Sequence, residues 1–106
     1  MTRDKLYAAD MTQPELQRNL ATTAKHLASA RALLRDDLPP NADGASLQGF
    51  EECLRKNEME FALDELEDLG LACHPVSEFW RHLMFAAENM QLTDRAAEFK
   101  QRMQRT

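Results

Sequence analysis

Cys53, Cys73, His74 and His82 are the side chains from which a zinc site could be assembled, because tetrahedral zinc takes thiolate and imidazole ligands. Their spacing contains no paired Cys-x-x-Cys and no His-x-x-x-His, so nothing local would hold such a set together. The sequence has no glycine-rich phosphate loop and no nucleophile motif. His26 stands alone on a helical stretch and reads as a surface or boundary residue. The many carboxylates have the spacing of helix surfaces, without the partner that marks an acid/base pair. The reading is therefore a non-enzyme with no catalytic residues, no metal and no cofactor. Two cysteines are also too few and too far apart for a disulfide framework, which predicts free, buried thiols in a reducing compartment.

What remains to carry function is charge and aromatic surface. The chain has 106 residues, 18 acidic and 13 basic, for a net charge of −5. That length fits a single helical domain over 1–106, with 1–11 as a flexible N-terminus. The balance argues against direct nucleic-acid binding, which needs a basic surface to displace counterions, and suits a basic protein partner. No apolar run approaches the roughly 20 residues of a bilayer span, and the first ten residues lack the apolar core of a signal peptide, so no membrane role and a cytoplasmic location are expected. The charge is uneven. Residues 51–78 hold nine acidic and two basic side chains, net −7, against +2 for the rest. The alternative to a docking face is a solvated one, partly neutralised by Arg18, Lys25, Arg31 and Arg35.

The elements that must position these groups read as helices throughout, which predicts an all-α fold: a small bundle of four to five helices with a long N-terminal helix and a central αα-hairpin. Thr12 is placed to cap the first helix, with Pro14 in its first turn and Glu15 reaching back. Leu16, Leu20, Ala24, Leu27, Leu34 and Leu38 recur at helical steps, predicting a helix over 14–37 that Pro39-Pro40 stops. Ala21, Ala28 and Ala32 form a small-residue strip beside the leucines, fit for the close approach of a second helix. Ser46 can cap a short helix carrying Leu47, Phe50 and Leu54. Asn57 is predicted to start the next, with Glu60 at the reciprocal capping position; its stripe is Met59, Ala62, Leu63, Leu66 and Leu69, and Gly70 is its left-handed stop. His74-Pro75-Val76 is a break, and Ser77 a cap for Phe79, Trp80, Leu83, Ala87 and Met90. Trp80 sits at the edge of that stripe, a weaker interface candidate for which core burial is the favoured reading. Leu92, Ala96, Phe99 and Met103 follow, either on the same helix or on a last one restarted at Thr93-Asp94.

Two phenylalanines do not fit their stripes. Taking about 100° per residue with Met59 at zero, the buried stripe centres near about 340°, while Phe61 falls at about 200° among Asp64, Glu65 and Asp68. Phe85 points nearly opposite Leu83, near Arg81 and Glu88. Either these rings meet a second neighbour within the fold, or each other, or they form an apolar patch rimmed by charge, the anatomy of an interface.

The run Asn57-Glu58-Met59-Glu60-Phe61-Ala62-Leu63-Asp64-Glu65-Leu66, then Leu69-Gly70, then Phe79-Trp80, Leu83, Ala86-Ala87, Met90 and Leu92 is similar to small bacterial immunity proteins of the MafI type. That family has a central Asn-Glu-x-x-x-Ala-Leu-x-x-Leu helix and a later one ending Ala-x-x-Met-Gly-Leu; here Gln91 takes the place of the glycine. The likeness covers about residues 50–92. The resemblance implies a cytosolic protein that binds and neutralises a toxin, often a nuclease, in competition between bacteria. A nuclease carries a basic substrate groove, which an acidic helix face can occupy or dock beside. The contact residues expected are Glu60, Phe61, Asp64, Glu65, Glu67 and Asp68, with Phe85 second. Phe61 would be the desolvated anchor, and the carboxylates would steer. The competing reading is a self-associating helical adaptor or structural domain, with the phenylalanines as a homodimer seam.

Overall fold

A computed structural model describes residues 12–42 and 44–105; the segment expected to form a flexible N-terminus, 1–11, lies outside them. The described residues form five helices and no strand: α1 (Gln13–Arg31), α2 (Leu47–Arg55), α3 (Met59–Cys73), α4 (Ser77–Asn89) and α5 (Thr93–Arg105). The fold is the all-α bundle that the periodicity predicts. α4 lies between α1 and α5, and α2 and α3 form a hairpin whose α3 limb also packs on α1 and α4.

The start signals act largely as their chemistry dictates. The Thr12 hydroxyl accepts the Glu15 N–H at 3.3 Å, and the Ser46 hydroxyl accepts that of Gly49 at 2.9 Å. α4 differs: Ser77 is its first residue, Val76 is the cap, and no side chain caps it. The stops differ more. α1 ends at Arg31, six residues before the predicted limit. Asp36 and Asp37 would place negative charge on the negative end of the helix dipole. The chain instead tightens, with Leu33 N–H on Ala30 O and Leu34 N–H on Arg31 O, both 3.0 Å. Arg31 then holds the Leu34 carbonyl at 3.4 Å and Asp36 at 2.8 Å.

Asn57 does not start α3. Its φ is 59°, and it closes α2: Asn57 N–H donates to Leu54 O (3.0 Å) and Glu58 N–H to Cys53 O (2.8 Å), the paired bonds of a Schellman stop. α3 begins behind Glu58 with no side-chain cap from that residue, which puts Glu60 at the second helical position and not at the third, the reciprocal capping position. The same stop ends α4, with Gln91 at φ 61° donating to Glu88 O and Leu92 to Ala87 O. That turn separates α4 from α5 and settles the open boundary at Thr93. Nor is Gly70 a stop. It lies buried inside α3, which runs on to Cys73, and His74 takes the left-handed position at φ 51°. Gly70 is required for a different reason: a Cβ there would meet Phe79 Cζ at 2.9 Å and Trp80 Cη2 at 3.1 Å.

The core is one cluster drawn from all five helices, from Leu27, Phe50, Leu63 and Leu66 to Leu83 and Phe99. Trp80 is 5% exposed, edge-on to Phe79 and stacked on Phe99, as its core assignment requires. The predicted alanine strip is not the packing face of α1: Ala21, Ala28 and Ala32 are exposed, whereas Thr23, Leu27 and Ala30 are buried. A polar lock accompanies that contact. Asn19 Nδ2 donates to Asn89 O (3.2 Å), and Asn89 Nδ2 lies within hydrogen-bond distance of Asn19 O (3.0 Å) and Thr23 Oγ1 (2.7 Å). Burying Thr23 fully is tolerable because Asn89 satisfies its hydroxyl.

Candidate protein-docking face

α3 presents two contrasting sides. Met59, Ala62, Leu63, Leu66, Leu69 and Gly70 are buried, while Phe61, Asp68, Leu71 and Ala72 are exposed, with Asp64 and Glu65 between. The outward side is where helical geometry puts residues three, four and seven positions after Phe61. Phe61 is 60% exposed. Of the other four phenylalanines, Phe50, Phe79 and Phe99 are fully enclosed and Phe85 is half-buried. Burying a Phe side chain is worth about 1.5–3 kcal/mol, so roughly 1–2 kcal/mol remains to be gained by covering Phe61.

The carboxylates around that ring are not equivalent. Asp64 Oδ1 and Glu67 Oε1 each meet one Nη of Arg95 at 2.6 Å. Arg95 comes from α5, its side chain is 15% exposed, and its guanidinium also lies 5.6 Å from the Phe99 ring centroid. Burial works against its charge, yet the two carboxylates outweigh burial and hold its pKa above the usual guanidinium value. Glu65 turns toward α2 and accepts the Ser46 N–H at 2.9 Å. Asp68 is exposed and Glu60 half-buried. Next to Phe61 the neutralising cation is thus Arg95 of α5, while of the cations on or beside α1 Arg31 does reach the acidic segment, at Glu51 (4.0 Å). Arg31 also pairs with Asp36, and Arg35 pairs with Asp37. Pinning is not cancellation: five carboxylates with one guanidinium leave Glu60, Asp64, Glu65, Glu67, Asp68 and Arg95 together at −4.

Phe85 is not brought to this face. It packs against His26 of α1, with ring centroids 5.5 Å apart, because α4 is covered on two sides and its off-stripe ring meets the second neighbour. His26 is half-buried; burial, His82 and Lys25 lower its pKa from 6.5. Both cysteines are free and half-buried, less enclosed than expected. Burial foremost raises each thiol's pKa, which keeps it protonated and a weak nucleophile. Among the described residues no three His, Cys, Asp or Glu side chains lie together as metal ligands would, and no helix is long and apolar enough to cross a membrane.

Three features escaped the sequence reading. Leu71 (43% exposed), near the end of α3, and Val76 (58% exposed), just before α4, are also exposed apolar side chains. For Leu71 the signal was present, ten residues after Phe61 on the same outward half of the helix. The Arg95 clamp carried no signal, since 28 residues of sequence separate it from Glu67. What fold and surface define is a helical bundle with an acidic, aromatic-centred outer helix face. Compared with family models, curated proteins and solved structures, the chain matches none.

Proposed function

We propose that this protein is an immunity protein of the MafI type, which binds and neutralises a basic bacterial toxin, such as a nuclease, from the cytoplasm through the outer face of α3. The observation that carries the reading is Phe61: an aromatic ring 60% exposed among carboxylates, on a helix whose opposite side is wholly buried. The ring acts as the anchor, because covering it yields free energy that the fold leaves unused. The surrounding net negative charge steers a basic partner and sets its orientation. Asp64, Glu65 and Glu67 are held by Arg95 and Ser46, so they present a fixed pattern at little further entropic cost. Asp68 is the exposed carboxylate best placed to take a partner's Lys or Arg.

The test is growth protection. The reading predicts a secreted-toxin gene beside this one, and the two are co-expressed with this chain as wild type, Phe61→Ala or Asp68→Lys. Wild type restores growth, Phe61→Ala loses protection, and Asp68→Lys weakens it at unchanged helicity; full protection by both variants overturns the assignment. A self-associating adaptor would bury the same ring against a second copy, so sizing at micromolar concentration should give a monomer.

A further inference from the structure

A groove of about 310 Å³ lies where the end of α3 meets α5. Its lining includes Leu71, His74, Pro75, Trp80, Arg102 and Arg105. In a chain with 18 acidic and 13 basic side chains, this lining has two arginines, a histidine and no carboxylate among the described residues. Arg102 and Arg105 are three apart on α5 and so project on the same side. The Arg102 guanidinium lies over the Trp80 ring at 5.4 Å, which fixes its plane. Arg105 is exposed and pairs with no carboxylate among the described residues. Leu71 and Pro75 supply an apolar wall beside these cations.

We propose that this groove binds an acidic, apolar-tipped peptide segment of a protein partner: one apolar side chain against Leu71, Pro75 and Trp80, with a flanking carboxylate on Arg105. The volume sits at the lower bound of small-ligand sites, roughly 300–1,000 Å³, which suits one or two side chains and excludes a folded surface. Arginine is the cation matched to planar carboxylates. A free phosphate would leave the apolar wall uncovered, and nucleic acid or an anionic membrane, with far more charges than a short acidic segment, would meet much the larger repulsion from a chain at −5. The groove shares Leu71 with the outward side of α3 but lies ten residues, about 15 Å along the helix, beyond Phe61, and it does not depend on the toxin reading.

The full chain, labelled with ¹⁵N, is titrated with the acetylated, amidated hexapeptide Gly-Leu-Glu-Phe-Asp-Glu, and amide and Trp80 indole shifts are followed. Saturable shifts at Trp80, Leu71 and Arg105 are expected below about 1 mM. Binding should be at least about tenfold weaker (about 1.4 kcal/mol) for Arg105→Glu, and for the peptide with Gln and Asn in place of its acids. Phe61→Ala should bind normally. The proposal is overturned by no shifts, by equal binding of the amide peptide or of Arg105→Glu, or by the same shifts with inorganic phosphate or phosphatidylserine vesicles. Concentration-dependent self-association abolished by Arg105→Glu would give the groove to a second copy and overturn it too.

Discussion

Replacing Gly70 with alanine sets two opposed effects against each other. In a helix interior, alanine is favoured over glycine by about 1 kcal/mol. At this position, however, the new methyl would sit 2.9 Å from Phe79 Cζ and 3.1 Å from Trp80 Cη2. Phe79, the ring nearest the new methyl, is fully enclosed and has no room to retreat, and Trp80 is held edge-on to Phe79 and stacked on Phe99, with open space only on the side of the groove it lines. Overpacking of this kind costs about 1–3 kcal/mol, and the rigidity of the aromatic cluster puts it toward the upper end. The net expectation for Gly70→Ala is a loss of about 1–2 kcal/mol. Urea unfolding followed by Trp80 fluorescence should show a midpoint lower by about 1 M, with an unchanged slope. A variant as stable as wild type, or more stable, would refute the packing argument. His74→Gly is the companion measurement, because a left-handed histidine is strained and glycine is not. It should gain about 0.5–1 kcal/mol if His74, and not Gly70, ends α3.

Three further outcomes follow from the geometry. Gln91→Gly should raise stability by about 0.5–1 kcal/mol in thermal unfolding, since Gln91 holds φ at 61° in the α4 stop. Arg95→Gln leaves Asp64 and Glu67 without their shared cation, and should cost about 1–2 kcal/mol in urea, between the values for exposed and buried pairs. Folded His26 titrates below 6.5 because of burial, His82 and Lys25, so the unfolded chain takes up the proton first. His26 therefore costs no stability above about pH 6.5 and destabilises progressively as pH falls through its lowered pKa; His26→Gln should flatten that part of the stability profile.

The helix faces were readable because burial imposes a period: Leu27, Leu63, Leu66, Leu83 and Phe99 fall inward as their spacing requires. Thr12 and Ser46 were readable because capping is a local bond between near neighbours. Helix ends were not. Asn57, Gln91 and His74 all adopt the left-handed conformation that composition would assign first to glycine, while Gly70 is used for close packing. Of the expected docking residues, Phe61 was identified by its angle alone and is exposed. Phe85 had the same kind of angle but meets His26, because spacing cannot tell a solvated side from a second packed side. The state of Asp64, Glu65 and Glu67 depends on Arg95 and on the Ser46 backbone, both distant in sequence and joined only by the fold.

The proposed function predicts a secreted-toxin gene beside this one, and the most direct test is the affinity of purified Phe61→Ala for that toxin, measured by calorimetry against wild type. Covering the ring yields roughly 1–2 kcal/mol, so the account predicts Kd about 5- to 30-fold weaker at unchanged folding stability. An unchanged Kd would contradict it.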